Sequence, residues 1–168
     1  MGLEVEARDW HQGEFLVSTR QDLIQVDAVR DAMDSDVMWW AQALPIDVLR
    51  KALGNSMCLG LYELPQSSGN QIAPKQIGLM RVITDDVTFA YLTDVYILPE
   101  YQGKGLGRWM LACLDEVIKA WPHLRRFVFM SAKSSLDLYR KALGAHDWDE
   151  RENRNLVLGN IDGPASRH

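Results

Sequence analysis

Between Pro99 and Trp109 the chain reads PEYQGKGLGRW, with glycines at positions 103, 105 and 107, Lys104 between the first two and Arg108 after the third. A loop of this kind that opens a helix does one chemical job well. The first amides of a helix point outward without partners, and the helix dipole favours negative charge there. Glycines let those amides come close to a ligand, so the stretch can cradle a phosphate or pyrophosphate. A packing turn that holds nothing is the competing reading, because a glycine loop alone is a weak signal.

The elements around the loop decide whether such a cradle can be built. An apolar run from Phe89 to Leu98 (FAYLTDVYIL) predicts a strand that feeds it. Leu106, Met110, Leu114, Val117 and Trp121 recur at helical spacing and predict a helix directly after it, ended by Pro122. A linker does not sit inside a strand–loop–helix step. Spacing then removes the common nucleotide loops. A Walker A loop needs glycine where Leu98 stands and Ser or Thr where Gly105 follows Lys104. A dinucleotide fingerprint needs glycine or alanine at Arg108, and a kinase loop shares that failed spacing.

Upstream, Phe15–Arg20 reads as a strand, and an apolar stripe at Val26, Val29, Met33, Val37 and Trp40 predicts one helix over Asp27–Gln42. Pro45 starts a second, shorter helix, Ile46–Leu53, stopped by Gly54. Met57–Leu64 and Gln76–Thr84 are strands, separated by the polar loop Pro65–Lys75, and Asp85-Asp86 makes a hairpin turn into Phe89–Leu98. Arg125–Ser131 is a further strand. Ser134 with Asp137 resembles a capping box for a helix that runs to Leu143 and closes at Gly144. His146–Trp148 and Asn155–Leu158 read as two last short strands, and residues 1–14 and 159–168 as poorly ordered ends. The order gives a mixed α/β (α+β) single domain over residues 1–168.

The bulk properties agree. With 168 residues and 47% apolar composition the chain can bury a core without staples. A net charge of -5 argues against nucleic acid as partner. No apolar run reaches the roughly 18 residues of a membrane span, and the acidic start MGLEVEARDW is no signal peptide. Cys58 and Cys113 lie in apolar runs and read as buried free thiols of a reducing, cytoplasmic compartment. His11, His123, His146 and His168 share no ligand spacing with each other or with the cysteines, so no metal site is expected.

Gln102, Gly105 and Gly107 form a Q/R-x-x-G-x-G/A pattern, and LTDVYILPEYQGKGLGRWML as a whole resembles the strand, pyrophosphate loop and helix of the GCN5-related N-acetyltransferase (GNAT) superfamily. Leu138-Tyr139-Arg140-Lys141-Ala142-Leu143-Gly144 looks like that family's final helix. Ala145 stands where the family often has Phe, and Ser134 and Ser135 where many members have Asn. The resemblance implies a central, mostly antiparallel twisted sheet of about six to seven strands flanked by about four helices. It also implies acetyl-CoA as donor and an amine acceptor, with homodimers common. The pyrophosphate would lie on Gln102, Gly103, Lys104, Gly105, Leu106, Gly107 and Arg108, and the pantetheine arm along the backbone of Tyr96, Ile97 and Leu98. Ser134 and Tyr139 would touch the cofactor, with Tyr139 as the proton donor to the leaving thiolate.

Amide formation also needs a neutral amine and a stabilised oxyanion. A backbone N–H near Ile97 suits the oxyanion. Strand alternation puts Asp94 on one face with Leu92, Tyr96 and Leu98. A carboxylate on an apolar face serves as base, as counter-ion to the ammonium, or as a structural acid bound to nearby amides. Asp34, Asp36, Trp39 and Trp40 put charge and cation–π surface in the first helices, which suits a cationic amine; a core stripe and a solvated turn explain the same residues. The reading is therefore an N-acetyltransferase acting directly from acetyl-CoA on a primary amine of a small molecule. A protein or peptide acetyltransferase and a non-catalytic CoA-binding module are the alternatives.

Overall fold

The computed structural model describes residues 7–66 and 73–148, together with Gly159 and Pro164. Among these residues six strands form one sheet in the order β1 (Asp9–Gln12), β2 (Phe15–Ser18), β3 (Met57–Glu63), β4 (Lys75–Thr84), β5 (Phe89–Ile97) and β6 (Arg126–Phe129). Every neighbouring pair is antiparallel except β5 with β6. Among the described residues four helices flank it: α1 (Val26–Met33), α2 (Ile46–Gly54), α3 (Leu106–Lys119) and α4 (Leu136–Leu143).

The sheet is covered on both faces, and its side chains sort accordingly. Met57, Leu59 and Leu61 of β3 join Leu106, Met110, Leu114 and Val117 of α3 and Tyr139 of α4 in one core. Cys58, one residue out of step, joins Val29 and Met33 of α1 and Leu49 and Leu53 of α2 in a second core. The period-2 alternation of the strands and the apolar stripes of the helices meet as expected.

Several predicted elements differ. Asp9–Gln12 is a strand, because Gly13 at φ +58° turns a two-residue hairpin into β2 and Trp10 packs on the core. The predicted helix Asp27–Gln42 stops at Met33. The polar run Asp34-Ser35-Asp36 competes for the backbone: Ser35 Oγ donates to Ala32 O (2.7 Å) and accepts from Val37 N (3.3 Å), opening a short 3-10 turn, Asp36–Met38. The Ser134 capping box does not form. A 3-10 turn, Lys133–Ser135, leads into α4 with no side-chain cap. The helix does close at Gly144 (φ +67°), whose amide bonds Arg140 O. His146–Trp148 forms no strand, and the predicted strand Asn155–Leu158 lies outside the described residues.

Candidate active site

The glycine loop is built as a helix start. Gly103 and Gly105 sit at φ +76° and +78°, where other residues are strained. A Cβ at either position would meet nothing within 4 Å, so the space in front of the loop is open. Trp109 N bonds Gly105 O at 3.1 Å, the first helical bond of α3. The amides of Leu106, Gly107 and Arg108 therefore emerge at the helix end, and the first turn carries no acid. These features leave the loop's amides accessible to an anionic ligand.

One short tether holds the loop's entrance. Tyr101, buried at the end of the 3-10 turn Pro99–Tyr101, donates to Glu63 Oε2 of β3 at 2.6 Å. That bond, aided by burial, pushes the Tyr101 phenol up to about 12. Lys104 leans back on this group, with its Nζ 5.1 Å from the Tyr101 ring centre and 5.9 Å from that of Phe15.

Beside the loop, two strands part. β6 pairs with β5 only from Phe89↔Arg126 to Leu92↔Phe129. Among the described residues, β5 continues beyond Leu92 to Ile97 along β4 alone. Leu98 N bonds Ile77 O of β4 at 2.9 Å, so strand alternation turns the Ile97 amide to the other, open edge. The Ile97 carbonyl on that edge accepts Gln102 Nε2 at 2.8 Å, which ties the strand to the loop. Tyr96 differs, since its side chain is buried in the α1/α2 core.

Tyr139 lies at the parting point. Its ring stacks on Phe129, the last residue of β6, at 4.4 Å and 27°. Burial raises its phenol above the usual tyrosine range, so it carries its proton at neutral pH. Ser134 is exposed in the 3-10 turn that precedes α4.

Asp94 departs from the strand pattern. It has φ +48°, and β5 holds one extra residue here: Leu79 faces Tyr96 while Arg81 faces Thr93. The bulge shifts the alternation. Ala90 and Leu92 point to the α3/α4 core and Tyr96 to the α1/α2 core, so Asp94 does not share one continuous face with both. Its Oδ2 accepts Arg81 Nε at 2.7 Å. The sequence carries a faint signal for this pair: Arg81 is the lone charge in QIGLMRVIT, as Asp94 is in FAYLTDVYIL, on strands joined by one hairpin.

On the other face, an open cavity of about 480 Å³ is bordered by Met33, Asp34, Asp36, Met38, Trp39 and Gln42, among others. Trp39 is 65% exposed and meets Trp40 edge to face at 5.7 Å. Trp40 itself packs on the α1/α2 core, so the cavity gathers Asp36 and Trp39 but not Trp40. Met38, buried under the cavity, packs with Tyr96 of β5. The hairpin acid Asp85 is a turn device: it accepts from the Thr88 hydroxyl and from the amides of Phe89, Thr88 and Val87, which holds its carboxyl well below the usual range. Burial pushes the Cys58 and Cys113 thiols up to about 12, so neither is a ready nucleophile. Among the described residues no cluster of His, Cys, Asp and Glu is suited to a metal ion, and no helix is long and apolar enough to cross a membrane.

A strand that parts from its neighbour lies beside a glycine-opened helix, and comparison with known proteins names the family in which this chain falls. The chain belongs to the acetyltransferase (GNAT) family, whose model matches residues 58–145. A Gibberella zeae protein named as a candidate acetyltransferase is 44% identical over 96% of both chains. A thialysine N-epsilon-acetyltransferase of Bos taurus is 44% identical over 64 residues, 37% of each chain. A crystal structure of a GNAT-family protein from Xanthomonas campestris aligns with TM-score 0.62 and 26% identity, covering 87% of this chain and 96% of that one. The protein is thus an acetyltransferase of the GNAT fold, as its loop implies.

Proposed function

We propose that the protein transfers an acetyl group from acetyl-CoA directly to a primary amine of a small, cationic molecule. The observation that carries this reading is the parting of β5 from β6 beside the uncapped start of α3. The amides from Gly103 to Arg108 would hold the pyrophosphate. The open edge of β5 at Tyr96, Ile97 and Leu98 would take the pantetheine arm as an added strand. Acetyl-CoA supplies the activated thioester; the remaining chemistry falls to the chain.

The Ile97 amide, already turned to the open edge, would donate to the oxygen that gains charge as the amine attacks. Tyr139, held protonated by burial, would give its proton to the departing sulfur. The phenolate would be reprotonated through water by the proton the new amide nitrogen loses. Unreactive cysteines agree with direct transfer. Asp34, Asp36 and Trp39 at the open cavity would attract the acceptor's charge. The name of the Bos taurus relative specifies an ε-amino acceptor, which favours an amine on a flexible side chain.

Two measurements test this. Acetyl-CoA at about a hundred times its Kd should raise the melting temperature by roughly 5–10 °C. A panel of polyamines, lysine-type amines, sugar amines, arylalkylamines and peptides should release CoA thiol with a small cationic member. No thermal shift would end the acetyl-CoA reading, and turnover of peptides alone would move the function to proteins.

A further inference from the structure

The most unusual backbone in the described residues coincides with the most enclosed ion pair. Asp94 is one of two non-glycine residues at positive φ; the other, Asp86, is in the hairpin turn. Asp is one of the few residue types that enter this region, at a cost. Here the residue is also buried, and its partner is fixed. Arg81 Nε donates to Asp94 Oδ2 at 2.7 Å, with the two side chains 17% and 9% exposed. Arg81 Nη1 donates to Ser56 Oγ at 3.2 Å, and Ser56 Oγ donates to Ala52 O at 2.8 Å, in the last turn of α2.

The position of this chain of bonds matters more than its strength. The bulge falls between Thr93 and Tyr96, so it separates Leu92, the last residue of β5 paired with β6, from the open edge at Ile97. Whatever fixes the bulge fixes the direction in which that edge presents its amides. A bulged strand can bend and slip. A buried ion pair resists slipping, because breaking it leaves an unpaired charge in a dry place.

We infer that Arg81 and Asp94 are a positioning pair that locks the β5 bulge and so aims the Ile97 edge at the thioester, with Ser56 linking the lock to the end of α2. On this inference Asp94 is not the base. Its Oδ2 is committed to Arg81, and the amine loses its proton to water. The inference rests on the acetyl-CoA reading above.

The test compares Asp94→Asn, Arg81→Met and the double variant in the full chain, using acetyl-CoA and the best amine of the panel. Asparagine tolerates positive φ, so Asp94→Asn removes the charge and spares the backbone. Each single variant should lose about tenfold in kcat/KM for acetyl-CoA, and the double variant no more than either, because the two residues act as one unit. The acid limb of the kcat/KM profile for the amine should stay where it is in the wild type. Active-site titration should place the loss in each folded molecule and not in a smaller folded fraction. If Arg81→Met does not fold, Arg81→Lys, which keeps the charge and loses the fork, replaces it in the same comparison. Loss of the acid limb in Asp94→Asn with full activity in the Arg81 variant would make Asp94 the base and overturn the inference. Unchanged kinetics in both, or additive losses in the double variant, would overturn it too. Failure of the wild type to bind acetyl-CoA would instead remove the functional reading beneath it.

Discussion

The proposed donor side and the proposed acceptor side of this site are built in opposite ways. The donor side is one continuous piece of chain. From Tyr96 to Arg108 it runs strand edge, 3-10 turn, glycine loop and helix start, pinned by Gln102 on Ile97 and Tyr101 on Glu63. The acceptor side is gathered from the end of α1, the turn Asp36–Met38 and the segment after it, and it presents an exposed tryptophan to solvent. The first suits a ligand that is the same in every turnover. The second suits a partner chosen by charge and surface.

Substitutions should separate the two sides by which constant they move. The largest effect is expected at Tyr139. Replacing it with Phe should lower kcat by 10²- to 10³-fold while KM for acetyl-CoA stays within about twofold, since the ring still stacks on Phe129. The pH profile sharpens this. In the proposed mechanism the protonated phenol is the working form, and burial raises it, so the wild-type rate should hold past the ordinary tyrosine range and fall only above it. That alkaline limb should vanish in the Phe variant. Next is Gly105→Val, which forces a β-branched residue to φ +78°. Acetyl-CoA affinity, read by calorimetry, should drop about a hundredfold, or ~2.7 kcal/mol, with the KM for the amine unaffected.

Smaller effects belong to the acceptor side. Trp39→Ala should raise the KM of a cationic amine about two- to fivefold, in line with an exposed cation–π contact, and leave the melting temperature unchanged. A drop in acetyl-CoA affinity in that variant would erase the distinction between the two sides. The smallest change is expected for Lys104→Met. Its ammonium leans on Tyr101 and Phe15, so its loss should weaken acetyl-CoA binding no more than about twofold at low salt.

How much of this was legible from the sequence follows from the same contrast. The loop, its strand and its helix are local, so glycine spacing and apolar period carry them, and the positive φ values at Gly103 and Gly105 fall where a glycine is required. The acceptor side misled because Val37 and Trp40 continue the helical stripe of α1, while Ser35 quietly rewires the backbone. The strand Asp9–Gln12 was hidden in polar residues, with only Gly13 to mark its turn. The bulge at Asp94 was invisible to alternation, because a one-residue insertion in pairing leaves the sequence looking regular. Its trace is in residue types, one arginine and one aspartate on adjacent strands, and the burial pattern of β5 conceals it further by alternating straight through the shift.

The parting of β5 and β6 has a consequence for handling the protein. A run of β5 with one bare edge is a template for another chain, and such edges drive association. Here β6 covers β5 as far as Leu92, so the bare edge starts only beyond that residue and is short. A bound donor would therefore act as a removable plug, and protein prepared with CoA should remain dispersed at concentrations where the bare protein begins to stick to itself.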